Sequence, residues 1–275
     1  MLPVAIAVAP NGGRKVKADH PAVPLNAAEL AVTAAHCLDA GAAMIHAHVR
    51  NADGSHLLDA DAYRDAIAAI RTAVGDKLVI QITSEAVGKY TPAQQRAVVQ
   101  AVKPEAVSLA LRELVPDASE ERAFSDLLGW IKRESVVPQI ILYDVNDAIR
   151  LAELQKRGLI PFERLPVLYV LGRYTAGQVS SPADLLPFVA ADAPRFAHWS
   201  VCAFGAQEVA CVTAGALLGG HIRVGFENNE LLPDGTRAEG NQDLVAAARN
   251  AIAAVGRKVA TADELRAATA DRVAS

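Results

Sequence analysis

The feature that most constrains this chain is a repeating alternation. Short apolar runs rich in β-branched residues occur at 4–9, 43–49, 78–83, 106–110, 139–143, 167–171, 199–204 and 221–226, and Ala-rich stretches with helical spacing separate them. Runs apolar on both faces belong to strands covered on both sides, the habit of parallel sheets whose crossovers are helices. Eight such units in 275 residues take about 34 residues each, a normal length for a (β/α)8 unit. The pattern predicts an α/β protein built as a single (β/α)8 TIM barrel, with an open doubly wound sheet as the alternative.

Helix-start chemistry supports the alternation. Asn26 with Glu29, Thr91 with Pro92 and Gln94, and Ser181 with Pro182 and Asp184 each set a capping oxygen ahead of an acceptor three residues on. Helices are expected after strands one, three and six. Further amphipathic segments follow Asp59, Ser119, Asn146, Ala206 and Gly240, and Thr261 with Glu264 announces an extra C-terminal helix. No linker, low-complexity segment or charge block divides the chain, so residues 1–275 read as one catalytic barrel domain.

Composition narrows the function classes. With 27 basic against 31 acidic side chains the net charge is 27 − 31 = −4, and without basic runs the chain lacks the footprint that nucleic acid or anionic membrane requires. Only 5% of residues are aromatic, so the apolar majority is mostly Ala, Val and Leu, suited to close packing of helices on strands. The segment MLPVAIAVAP has no positive n-region, and no run of about 18 apolar residues occurs, so no secretory or membrane address is expected. Cys37, Cys202 and Cys211 are odd in number and show no CxxC spacing; they read as free thiols packed as small hydrophobes in a reducing cytoplasm.

In such a barrel, function lies at the carboxyl ends of the strands. Strand two ends in HAHVR, and residues two apart on a strand share a face, so His46 and His48 point into the barrel together. Two neutral imidazoles aimed into one space suit zinc and related metals. Strand eight, HIRVGFENNE, puts His221, Arg223, Gly225 and Glu227 on one face. It lies beside strand one, so Glu227 can approach the histidine pair and complete a two-His, one-carboxylate site with an open position. The plainer alternative for Glu227 is a loop or helix-capping carboxylate. A buried Arg223 needs an anionic partner, either Glu85, Glu227 or a substrate carboxylate.

Other strand ends offer Thr83, Ser84 and Glu85, Ser108, Tyr143 and Asp144, and the Gly172-Arg173-Tyr174 turn, a polar rim able to bind a carboxylate or thioester oxygen or simply to cap loops. Asn11-Gly12-Gly13 with Arg14 and Lys15 forms a Gly-rich turn without phosphate-loop spacing. Arg173 and Lys89 are either phosphate contacts or solvated loop charges. Metal hydrolases on this barrel also use an HxH pair, but take it from the first strand and add histidines from middle strands; here no His occurs between His56 and His198.

The stretches AGAAMIHAHVRNADG, SEAVGKYTPAQQ, PEAVSLALRE, VLGRYTAG and GGHIRVGFENN followed by PDG resemble the β-keto acid cleavage enzymes, first characterised on 3-keto-5-aminohexanoate, over nearly the whole chain. The resemblance implies a zinc-dependent barrel with one Zn2+ per chain, usually a homotetramer. It implies condensation of a β-keto acid with acetyl-CoA to give acetoacetate and a new acyl-CoA. By that likeness His46, His48 and Glu227 hold the metal, Arg223 is the functional arginine, and Ser84 and Ser108 stand where the family places hydroxyls around the substrate.

Two departures matter. Some members carry Asp after the metal-binding Glu, assigned to proton transfer; this chain has Asn228, which cannot act as a base, so the role is expected to pass to Glu85. Members acting on an aminated substrate have an acidic side chain in the first loop, where this chain has Arg14; a neutral or dicarboxylic β-keto acid is therefore expected as substrate. The rival readings are a metal-dependent aldolase or hydrolase working without CoA, and a non-catalytic barrel whose metal only stabilises.

Overall fold

In the computed structural model, which describes residues 2–273, eight parallel strands close into a barrel. They are β1 (Ile6–Val8), β2 (Met44–Ala47), β3 (Val79–Thr83), β4 (Ala106–Ala110), β5 (Val137–Leu142), β6 (Val167–Leu171), β7 (Trp199–Ala203) and β8 (His221–Val224). Each pairs with its sequence neighbours, and β8 closes on β1 through Ala7 opposite Arg223. The barrel reading holds, and the open sheet is excluded. The reading of 1–275 as one domain takes in residues 1, 274 and 275, which lie outside the described residues.

Strand two is shorter than its apolar run. It stops at Ala47 because Val49–Arg50 turns out of the barrel to pair antiparallel with His56–Leu57, which leaves His48 at the junction. Outward-facing side chains such as Ile45, Ile80, Ile82, Leu109, Ile140 and Val224 form one core with Leu30, Ile70, Val99, Leu128 and Leu151 from the helices. Burying this layer on both faces of the strands supplies most of the driving force for closure.

The helices are α1 (Ala27–Ala40), α2 (Ala60–Val74), α3 (Pro92–Val102), α4 (Leu111–Leu114), α5 (Glu121–Arg133), α6 (Val145–Lys156), α7 (Leu186–Val189), α8 (Glu208–Leu217), α9 (Asn241–Ala254) and α10 (Ala262–Val273). Asn26 accepts from Glu29 N–H, and Thr91 forms the capping box with Gln94. Two starts differ from expectation. The cap of α6 is Asp144, accepting from Asp147 N–H, and Asn146 lies within its first turn. Ser181 opens only a 3-10 turn over Pro182–Leu185 followed by the four-residue α7, because Pro187 has no N–H to continue the helix from Ser181. The expected last helix forms as α10, where Thr261 N–H donates to Glu264 and Glu264 N–H to the Thr261 hydroxyl. Its Leu265 packs with Ala5, Ala43, Met44, Val79, Ala106, Ala260 and Ala262 and seals the amino end of the barrel. Cys37, Cys202 and Cys211 are free and buried, and no described helix is long and apolar enough to cross a membrane.

Candidate active site

At the carboxyl end, β2 presents His46 and the residue just beyond it presents His48, their ring centroids 5.0 Å apart. The loop after β8 presents Glu227, whose Oε2 lies 3.6 Å from His46 Nε2 and 3.5 Å from His48 Nε2, while the two Nε2 atoms are 3.1 Å apart. All three ligand-type atoms fall within 4.8 Å of one another. Strand adjacency brings them together as expected, since β8 flanks β1 and β1 flanks β2. Arg223 Nη2 donates to Glu227 Oε1 at 3.0 Å and also to Cys202 Sγ at 3.3 Å, so of the partners open to it Arg223 takes Glu227.

The charges of this group follow from burial and from each other. Burial pushes His46 down to about 4 and His48 to about 3, against the pull of Glu227, so both rings are neutral near pH 7. Burial works to raise Glu227, yet Arg223 and then the two histidines hold its carboxyl well below the usual carboxylate range. A buried carboxylate thus faces two neutral imidazoles, and its Oε2 makes no hydrogen bond among the described residues. A buried anionic oxygen without a donor is costly, and a divalent cation satisfies it. Two nitrogens and one oxygen are the donor set of an open zinc-type site, so the residues present fit such a metal.

The turn after β1 holds this group in place. Asn11 is fully buried; its Nδ2 donates to the carbonyls of His48 and Pro24, both at 2.9 Å, and its Oδ1 accepts from His48 N–H at 3.3 Å. Arg50, two residues past His48, donates to the carbonyls of Asn11, Gly12, Gly13 and Gly54. A Cβ on Gly12 would stand 2.5 Å from Glu227 Cγ, and one on Gly13 would stand 2.6 Å from Glu85 Oε2. Gly12 also has φ +55°, which a side chain would strain. The Gly-rich turn is therefore a seat for two carboxylates. The signals for it in the sequence are the paired glycines after Asn11 and the arginine that ends HAHVR. On the far side, buried Glu208 accepts from Gly225 N–H at 3.2 Å and Asn241 accepts from Phe226 N–H at 2.9 Å, fixing the loop that carries Glu227.

Glu85 joins the cleft. Its Oε2 lies 3.8 Å from His48 Nδ1 and its Oε1 3.7 Å from Arg173 Nη2. Burial, then Glu227 and Glu113, raise its carboxyl to about 7 against the opposing charges of Arg173 and Arg14. Thr83, Tyr143, Arg173 and Phe204 line the same cleft with the triad, Glu85 and Arg223. Arg173 lies over the Phe204 ring at 5.3 Å and belongs to the site; Lys89 is exposed over Tyr90 and does not line it. Arg14 is exposed at the rim.

The structure turns Ser84 away from the cleft, while Ser108 lies on the inward side of β4 beside Thr83. On β3 the inward positions are 81 and 83, and Glu85 just beyond the strand also enters the cleft; Ser84 between them points the other way, its hydroxyl donating to the Ser108 carbonyl at 3.0 Å. Ser108, in register with Thr83, is buried with its hydroxyl unbonded among the described residues. Thr83 is the hydroxyl that lines the cleft. Asn228 is buried outside the cleft lining; its carbonyl accepts from Gly205 N–H at 3.1 Å, and its side-chain amide makes no hydrogen bond among the described residues.

Comparisons with known proteins bear on the family and on the fold. The 3-keto-5-aminohexanoate cleavage enzyme of Fusobacterium nucleatum is 30% identical over 263 residues, covering 93% of each chain. The 3-oxoadipate:acetyl-CoA acetyltransferase of Cupriavidus necator is 27% identical over 272 residues, covering 96% of this chain and 94% of that one. Among solved structures, ligand-free ObcA superposes with a TM-score of 0.71 at 16% identity, a likeness of fold; the match covers 90% of this chain and 65% of that longer one. A family model described as beta-keto acid cleavage enzyme matches residues 3–270. The chain belongs to the β-keto acid cleavage enzyme family.

Proposed function

We propose that this enzyme condenses a β-keto acid with acetyl-CoA, passing the acyl group of the acid to CoA and releasing acetoacetate, with one Zn2+ per chain held by His46, His48 and Glu227. The observation that carries the reading is the anionic Glu227 oxygen, buried, without a donor, and facing two neutral imidazole nitrogens. When bound, the metal supplies Lewis-acid polarisation of the keto and carboxylate oxygens of the substrate. Arg223, locked against Glu227, keeps that carboxylate ionised and offers its remaining guanidinium N–H groups to oxygen that becomes negative during carbon-carbon cleavage. Glu85, raised to about 7, takes and returns the proton that Asn228 cannot. Thr83 takes the hydroxyl role assigned by resemblance to Ser84, with Ser108 beside it.

The rim sets the preference for substrate. Arg173 in the cleft and Arg14 at its edge repel an amine and attract a second carboxylate, which favours neutral or dicarboxylic β-keto acids. A relative named for 3-oxoadipate, a dicarboxylic β-keto acid, agrees with that choice. A homotetramer and a cytoplasmic setting are part of the same proposal, the first carried by the resemblance alone.

The test is to incubate purified protein with acetyl-CoA and a panel of β-keto acids and to look for acetoacetate by mass spectrometry. Acetoacetate from a neutral or dicarboxylic acid supports the reading. No acetoacetate with any acid, despite one bound zinc per chain, overturns it, and turnover without CoA points instead to an aldolase or hydrolase. Faster turnover of 3-keto-5-aminohexanoate than of such acids overturns the preference alone.

A further inference from the structure

Beneath the triad, side chains from four strands make one hydrogen-bonded row across the barrel interior. His46 Nδ1 meets Gln81 Oε1 at 2.8 Å, Gln81 Nε2 donates to Gln139 Oε1 at 3.2 Å, and Gln139 Nε2 donates to Ser200 Oγ at 3.3 Å. All four residues are buried. Carboxamides are costly inside a barrel unless every group is paired, and a layer above, Ile141, Leu168 and Val170 fill the same interior with apolar atoms. Packing alone therefore gives no reason for two glutamines here.

The row has a direction, and the direction has a chemical consequence. An oxygen facing His46 Nδ1 makes that nitrogen the protonated one, which leaves the lone pair on Nε2. Nε2 is the atom that faces Glu227 and His48. A reversed Gln81 amide would present N–H to Nδ1, move the proton to Nε2 and close that nitrogen to a cation. Gln81 cannot reverse alone without losing its bond to Gln139, whose nitrogen is engaged in turn by Ser200; because the Ser200 hydroxyl can also donate, only a concerted reversal of both amides would keep every bond. His48 has no such support: its Nδ1 makes no hydrogen bond among the described residues, and the nearest carboxylate oxygen, on Glu85, is 3.8 Å away.

We propose that Gln81, oriented by Gln139 and Ser200, is a positioning residue that sets the tautomer of His46 and so makes it the pre-oriented member of the metal site; this rests on the metal reading above. The test titrates full-length, zinc-loaded protein with a competing chelator. Gln81→Leu, of similar volume but without an acceptor, is expected to hold zinc about 10- to 100-fold more weakly, the usual effect of losing the partner of a metal-bound imidazole. Gln81→Glu restores an acceptor at the same atom and is expected to hold zinc at least as tightly as the parent. Gln139→Leu is expected to weaken binding in the same direction by less. Nitrogen-15 spectra of the zinc-free chain are expected to show His46 protonated at Nδ1, and a mixture of tautomers in Gln81→Leu.

A parent chain that binds zinc while Gln81→Leu binds it equally well overturns this proposal and leaves the metal reading standing. A parent chain that binds no zinc overturns both. Should Gln81→Leu fail to fold, Gln81→Glu and Gln139→Leu decide: loss of zinc by Gln81→Glu, or no loss by Gln139→Leu, overturns the proposal.

Discussion

The two ends of this barrel are made from the same eight strands and share almost no chemistry. At the amino end, apart from His198 and His221, the inner residues are apolar, and Leu265 of α10 closes over Ala5, Met44, Val79 and Ala106. At the carboxyl end the same strands and their loops deliver His46, His48, Glu85, Arg173, Arg223 and Glu227 into one cleft. Nothing in strand geometry favours one end over the other for packing. The difference lies in the segments that close each end: a covering helix at one, and at the other a set of turns that hold polar groups against each other. The amino end is therefore closed by packing, and chemistry gathers where like charges and neutral rings are kept in close quarters.

Substitutions that separate these two properties break or sharpen the contrast. The largest effect on turnover is expected from His46→Ala. Several kcal/mol of charge stabilisation from a bound metal correspond to about 10³-fold or more in kcat/KM. The metal-free chain is also expected to melt lower, because the buried ring leaves a cavity and Gln81 Oε1 loses its partner. A barrel whose metal only stabilises would show the lowered Tm with turnover unchanged; steady-state kinetics beside calorimetry distinguish the two.

Glu85→Gln comes next. As a proton acceptor Glu85 must be ionised, and since burial and the neighbouring carboxylates raise it to about 7, kcat/KM is expected to fall as pH drops below about 7. Removing the carboxylate is expected to lower turnover by about 10²-fold and to flatten that acidic limb. A pH-rate profile that keeps the limb in Glu85→Gln assigns proton transfer to another group.

Gly12→Ala tests the seat and not the ligands. Its Cβ would meet Glu227 Cγ at 2.5 Å on a backbone with φ +55°, so the carboxylate or the turn must move. The expected result is about 10-fold weaker metal binding, a loss of the size seen when ligand support fails, with about 1–3 kcal/mol of stability lost to backbone strain. Equal metal affinity in chelator competition would mean that the turn does not seat Glu227.

Gly12 also marks where the sequence stops being legible. The barrel can be read because both-sided apolar runs and caps such as Thr91 with Gln94 are local. The triad can be read because period two puts His46 and His48 on one face and barrel closure brings β8 near β2. The seats cannot, since the need for Gly12 and Gly13 arises from Glu227 and Glu85, far away along the chain. Gln81 looks like one polar residue in an apolar strand, and its meaning depends on Gln139 and Ser200 across the interior. Ser84 fails by a single step of parity, because at a strand end one residue decides whether a hydroxyl faces the cleft or the neighbouring strand. The short α7 shows the converse limit: the Ser181 signal is correctly placed, and Pro187 ends what it begins.

The smallest effect on turnover, and the sharpest statement of the contrast, belongs to Leu265→Ala. Leu265 is 6% exposed and packs on Ala5, Met44, Val79 and Ala106 at the amino end. Truncating a buried leucine costs about 2–5 kcal/mol, the loss of transfer free energy plus the cavity left behind. The Leu265 side chain is apolar and cannot bond to the cleft; of the polar groups that share its space, Gln81, Gln139 and Ser200 are held by their own pairing and His221 by Ala5 N–H. At temperatures well below unfolding, kcat, KM and metal affinity are therefore expected to match the parent while the denaturation midpoint falls. A parallel loss of metal affinity would show that the seal at the amino end also orders the row beneath His46, and the two ends would then have to be treated as one coupled structure.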